Sequence, residues 1–218
     1  MSDFPKDIYT EPYPVDVDTL KNLGPLTAMA GIWEGERGLD IKPKAEGPKK
    51  QVYVERIELQ PIDPQTNGPQ LLYGLRYHVH ITKPYQVKTY HDQVGYWLWE
   101  PATQTVIHTL TIPRGQALMA GGTVAPDAKE FELIARQGDP YYGISSNPFL
   151  EHAFKTVEFR IKVRINDDGT WGYSEDTVMQ IQGLSEPFHH TDDNILRKVG
   201  EPTPNPLALA AQTAGASI

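Results

Sequence analysis

Residues 154–165, FKTVEFRIKVRI, alternate apolar and charged side chains with a period of two: Phe159, Ile161, Val163 and Ile165 against Glu158, Arg160, Lys162 and Arg164. Successive side chains of an extended chain point to opposite faces, so the pattern predicts a strand with one wet and one buried side. The same period dominates from about residue 28 to residue 199. VYVERIEL, LLYGLRYHVHI, QVGYWLW, TVIHTLTI, QALMAGGTV, EFELIA and TWGYSEDTVMQI are rich in β-branched and aromatic residues. Turn-forming stretches such as PQTNGP, EPATQ, APDAK and NDDGT separate them. With GIWEGERGLD opening the first strand and ILRKV in the last, about ten strands are predicted.

Consecutive strands joined by short turns predict an all-β fold, an up-and-down antiparallel β-barrel, because closure removes the sheet edges that template aggregation. A barrel wider than about eight strands encloses more than its own side chains, so a cavity is expected. Residues 1–27 read as an N-terminal arm with a short helix in DVDTLKNLGPLTAMAG, capped by Asp16 or Asp18 and broken by Gly24 and Pro25. Residues 28–199 read as the ligand-binding barrel. Residues 200–218 read as a Pro-rich, then small-residue tail, in which Leu207 to Ala211 suit a turn of helix against a partner. GDPYYGISSNPFLEHA, residues 138–153, reads as an irregular loop and a candidate lid at the barrel mouth.

The 218 residues, 39% apolar, suffice for one sizeable core and not for two comfortable domains. A net charge of −8 leaves no basic field for nucleic acid or an anionic membrane, so a small-molecule ligand is expected. The absence of cysteine excludes a disulfide framework, a thiolate metal site and a cysteine nucleophile, leaving His, Asp or Glu to hold any metal. MSDFPKDIYTEPYPVDVD has neither a basic start nor an apolar run, and no stretch reaches the roughly 20 apolar residues of a spanning helix, so a soluble, cytoplasmic protein is expected. Nucleophile elbow, phosphate-binding glycine loop, dinucleotide fingerprint and metalloprotease helix are all missing. Barrel exteriors pair without a legible pattern, which leaves a homodimer open.

Several polar and aromatic residues stand out. Trp33, between Gly31 and Gly35, reads as a ring plugging one end of the barrel. His78 and His80 share a strand face, a spacing some two-imidazole metal sites use, but Leu75, Tyr77, Val79 and Ile81 form the more apolar set and turn the histidines toward solvent. His91 precedes Gly95, Tyr96, Trp97 and Trp99 and is placed to look into a cavity, with His108 beside it on the next strand, either as ligands or as hydrogen-bonded packing residues. In FHHTDDNILRKV, Asp192, Asp193 and Asn194 read either as backbone-bonding residues leading into the last strand or as part of a site. In the second case one imidazole enters the cavity as a metal or iron ligand, its other ring nitrogen held by a carboxylate or carbonyl. His189 and His190 face opposite ways in a regular strand, so only one enters.

In order, GIWEGERG, YHDQVGYW, a GGTV strand and the closing HHTDDNILRKV resemble the nitrobindin-like family of heme-binding β-barrels over roughly residues 28–199. The resemblance implies a barrel of the lipocalin or fatty-acid-binding-protein-like type holding heme b near its mouth, with His190 as proximal metal ligand and His91 on the distal side. It further implies that Tyr90 and His189 line the pocket, and that the heme binds nitric oxide or converts peroxynitrite to nitrate. Counting back from Ile195 without a gap sets Thr191 at the family's ligand position, and a one-residue shift brings His190 to it. The polar ending is similar to that of a fatty-acid-binding-protein-like bacterial subgroup. The alternative is a heme-free carrier or enzyme of the same fold, in which Arg76, His91, His108 and Asp192 form a pocket for an organic acid or apolar metabolite.

Overall fold

In the computed structural model, which describes residues 5–215, the alternation read in FKTVEFRIKVRI is strand β10 (Phe154–Ile165). Phe159, Ile161 and Val163 are buried, while on the outer face Arg160 pairs with Glu132 at 2.6 Å and Lys162 with Glu130 at 2.7 Å. These exposed pairs set register more than they add stability. The same logic builds β1 (Gly31–Lys42), β2 (Lys49–Pro61), β4 (Gln70–Thr82), β5 (Thr89–Glu100), β6 (Thr105–Ile112), β7 (Gln116–Thr123), β8 (Glu130–Arg136), β11 (Trp171–Ile181) and β12 (Phe188–Gly200). Each pairs antiparallel with its neighbours, and β2 pairs with β4 to close a ten-stranded barrel. Two three-residue strands, β3 (Gln65–Asn67) and β9 (Ile144–Ser146), attach to β4 and β7.

Three segments differ from the sequence reading. The arm carries two 3-10 turns, Thr19–Lys21 and Gly24–Met29, rather than an α-helix, because Gly24, with φ +54°, and Pro25 open the second turn and cannot continue the first. Residues 138–153 are not irregular throughout: they hold β9 and helix α1 (Pro148–Ala153), whose Asn147 side chain accepts from the backbone N–H groups of Phe149 and Leu150. The tail forms α2 (Pro206–Gly215). It docks on its own chain: Asn205 donates to Val17 O and Asp63 Oδ1 and accepts from the Thr19 N–H, and Ala208 is buried. No helix among the described residues is long and apolar enough to cross a membrane.

One end of the barrel is plugged. Leu23, Leu26 and Met29 of the arm are fully buried there, Trp33 Nε1 donates to Met29 O at 2.8 Å, and Trp33 meets Trp171 edge-on. The wall is uneven elsewhere. Between β7 and β8 only Gly121 and Ile134 are paired, and β9 takes over the lower part of β7 through Gln116, Ala117 and Leu118.

A register shift between Gly35 and Gly38 bends β1 where it meets β2, and the rings and amides of β2 and β12 fill the space left by the missing side chains. A methyl on Gly38 would overlap the Tyr53 ring. Gly38→Ala is therefore expected to destabilise the fold by about 2 kcal/mol, lowering the thermal midpoint by about 4–8 °C. A variant melting with the parent would show that the Tyr53 ring yields freely.

Candidate functional site

The open end leads into a lumen of ≈ 500 Å³. On the wall formed by β1, β2, β11 and β12 the pleat stacks polar residues in layers. At the mouth, Asp40 is 2% exposed and receives the His190 Nε2–H at 2.7 Å on Oδ1. The Tyr90 hydroxyl donates to Asp40 Oδ2, and Lys42 donates in turn to the Tyr90 oxygen. In the same row, Asp192 is the register partner of Asp40 on one side and of Glu175 on the other, and all three line the lumen. Asp192 Oδ2 lies 3.7 Å from His190 Nε2. Deeper, Glu55 Oε2 accepts from Asn194 Nδ2 and from the Tyr173 hydroxyl, both at 2.8 Å, and Tyr53 reaches the Tyr173 oxygen at 2.9 Å.

Burial and mutual repulsion set the charge of this wall. Burial alone would push the Asp40 carboxyl up, but hydrogen bonds from His190 and Tyr90 and the nearby cations hold it below its usual range. Burial lowers the His190 imidazole, and the Asp40 hydrogen bond with the charges of Asp192 and Asp40 more than reverses this, so its pKa is raised. Burial raises Asp192 to about 7, against the charge of His190. Burial likewise raises Glu55 to about 7, against its two donors, and lifts Glu175 well above the carboxylate range, with Asp192 and Glu55 adding to the shift.

The facing wall, from β4, β5 and β6, carries a directed relay. His91 Nε2 meets Gln93 Oε1 at 3.2 Å, Gln93 Nε2 donates to the Tyr77 oxygen at 2.7 Å, and the Tyr77 hydroxyl reaches His108 Nε2 at 2.8 Å. Since the amide nitrogen only donates, the tyrosine proton goes to His108, whose own proton sits on Nδ1. His108 stacks on Trp97 at 3.9 Å, and burial drops its pKa to about 3, keeping it neutral. Burial also lowers His91.

The structure brings His190, His91, Tyr90, His108 and Asp192 to one lumen. Asn194 sits behind it, supporting Glu55, and Trp33 belongs to the plug rather than to the pocket, as the bulge in β1 leaves its ring among the floor residues. Three expected residues face the other way. His189 is exposed and pairs with Asp176 at 2.7 Å; Thr191, following His190, turns outward opposite Ile41; Arg76 is exposed because its neighbours Leu75 and Tyr77 take the inward positions. Arg76 is therefore absent from the pocket expected to hold an organic acid, and Asp40, Glu55, Glu175 and Asp192 line the lumen instead. His78 and His80 lie outside, bonded to Asp92 and Thr89.

Asp40, Glu55 and Glu175 were missed by sequence reasoning, although Glu55, between Tyr53 and Ile57, and Glu175, between Tyr173 and Thr177, left a signal as acids in the inward phase of a strand, while Asp40 is turned inward only by the register shift at Gly35–Gly38.

The model of the THAP4-like, heme-binding β-barrel domain matches residues 22–198. The chain belongs to this family, the nitrobindin family. Among solved structures, the crystal structure of Rv2717c from M. tuberculosis is similar to it, with 23% identity over 84% of this chain and 99% of that one, at a TM-score of 0.57, a likeness of fold. No curated protein matches the chain. The family makes this a small-molecule-binding barrel of a heme-binding type.

The residues at the mouth fit an iron-bearing ligand. His190 has one nitrogen on a buried carboxylate and no partner on the other among the described residues, the pairing that usually orients a metal-ligating imidazole. Lys42, Lys44 and Arg114 ring the opening with positive charge suited to the carboxylates of a heme, and Ile81, Ile112, Phe149 and Met179 offer apolar surface to its macrocycle.

Glu55 generates a stability prediction. Its folded pKa, about 7, exceeds the ordinary 4.5, so ionisation costs more in the fold than in the unfolded chain. Stability is therefore full below about pH 4.5 and falls as pH rises through 7. Glu55→Gln keeps an acceptor for Asn194 and Tyr173 and removes this loss. It is expected to flatten the pH dependence of the melting midpoint and to gain on the order of 2 kcal/mol at pH 8; a profile parallel to the parent's would contradict the assignment.

Proposed function

We propose that this barrel binds heme b at its mouth, with His190 as the proximal ligand and His91 on the opposite side, and that the loaded protein binds nitric oxide or isomerises peroxynitrite to nitrate. The observation that supports this most is His190: a lumen-lining imidazole with Nε2 on Asp40 and, among the described residues, no partner on Nδ1, in a chain of a heme-binding family. Asp40 fixes the tautomer and makes the imidazole a stronger donor; Tyr90 and Lys42 hold Asp40 in turn. Burial disfavours the charged form of His91, and its Nε2–H is spent on Gln93, which leaves Nδ1 to accept a hydrogen bond from a water or from peroxynitrite in its protonated form. Helix α1 sets Phe149 and Leu150 over the opening, where they exclude water from the upper lumen. When bound, the group supplies a Lewis-acidic iron for a diatomic or peroxo ligand.

Hemin titration followed by absorbance tests the reading. A saturable Soret shift is expected for the parent protein and its loss for His190→Ala. Asp40→Asn is expected to weaken hemin binding by roughly 10–100-fold. No Soret shift with the parent, or an unchanged spectrum for His190→Ala, would end the heme reading.

A further inference from the structure

Below the mouth, the lumen holds polar groups that nothing in the protein satisfies and that the heme reading does not use. His108 is 1% exposed and Trp171 2% exposed, both line the lumen, and among the described residues neither His108 Nδ1 nor Trp171 Nε1 has a hydrogen-bond partner. The relay through Gln93 and Tyr77 fixes the sense of the first: His108 presents an N–H. Trp171 can only donate. A buried donor without an acceptor costs about 1–3 kcal/mol, and two of them on side chains that line one cavity point to an acceptor oxygen brought by a ligand.

Across the lumen from His108, on the strand that carries Trp171, lies the complementary deficit. Glu175 lines the same lumen, and among the described residues its carboxyl has neither a hydrogen-bond donor nor a cationic partner. Its neighbours in the lumen wall are further carboxyls, Asp192 beside it and Glu55 one layer deeper, so no protein cation balances it. The lysines and Arg114 sit at the rim, where Lys42 is committed to Tyr90 and Asp40 and Arg114 to the Tyr90 carbonyl. The Trp97 ring, stacked on His108, and the side chains of Ile57, Phe159 and Ile161 supply apolar surface to the same lumen.

We propose that the inner lumen is a separate binding subsite for a small organic cation, a molecule with a protonated amine or guanidine on Glu175, an apolar or aromatic body against Trp97, and an acceptor oxygen toward His108 Nδ1 and Trp171 Nε1. The donors and the lone carboxylate are then satisfied by one ligand, and a charge that burial otherwise opposes gains a partner. An anion of the same shape finds no cation among the described residues of the inner lumen and forgoes the charge pairing that an ammonium gains on Glu175. The subsite does not depend on His190, Asp40 or His91, so it stands or falls apart from the heme reading.

Three probes of one size and different charge test it: tyramine, the neutral 4-ethylphenol and the anionic 4-hydroxyphenylacetate, titrated into the purified chain by calorimetry and tryptophan fluorescence. Tyramine is expected to bind at least tenfold more tightly than 4-hydroxyphenylacetate. Glu175→Gln, which removes no contact within the protein, is expected to weaken tyramine at least tenfold while leaving 4-ethylphenol within twofold. His108→Phe, which keeps a ring on Trp97 and loses the N–H, is expected to weaken both tyramine and 4-ethylphenol about fivefold. Circular dichroism confirms that both variants fold, and an unchanged hemin titration for Glu175→Gln separates this subsite from the mouth. Absence of tyramine binding at millimolar concentration, equal binding of the anion, or a Glu175→Gln effect under twofold would overturn the proposal.

Discussion

The ladder between β2 and β4, running from Val54 opposite Thr82 to Pro61 opposite Leu75, joins the two ends of the sheet and makes it a cylinder. The rest of the molecule follows from that closure. In a closed sheet every second residue of every strand is inside, whatever its chemistry, and none can escape by splaying an edge strand. Asp40, Glu55, Glu175 and Asp192 therefore leave water because their strands' register puts them there. The protein answers each differently: Asp40 is given donors and stays ionised, Glu55 is given donors yet is drawn toward neutrality, and Glu175 is given nothing. The chemical character of the lumen is a gradient of how well each carboxyl is compensated.

Much of the barrel was legible because the two-residue period is a direct imprint of the pleat. β10 could be read residue by residue, since its outward face is uniformly charged. β12 was harder. Its beginning, HHTDDN, is polar on both phases, so no alternation marks it as extended, and the strand is formed by pairing with β1 and β11 rather than by local preference. The same mixture hid the direction of the two histidines until the register with Asp40 and Asp176 fixed it. Short β9 and α1 were illegible for a different reason: a three-residue strand and a six-residue helix are too brief for any period, and they exist because β7 and the Asn147 cap hold them.

Candidate site residues divided along similar lines. Histidines and the aromatic run drew notice by type, and His91, His108 and His190 do meet in one cavity. The carboxyls that give this cavity its sign were passed over because single acids in strands are usually solvated. Their parity, not their identity, was the informative property. Arg76 shows the converse, a residue of attractive chemistry whose phase sends it outside.

The uneven seam between β7 and β8 bears on how molecules pass the wall. With a single residue pair joining the two strands and the Tyr142 ring lying over Gly121, this flank has fewer ladder hydrogen bonds to break than any other. Local fluctuations concentrate where such bonds are fewest. Passage through the wall at this flank has to break more than the ladder, because the Gly143 and Tyr142 carbonyls accept from the Met119 and Arg136 N–H groups and tie the connecting segment across the gap.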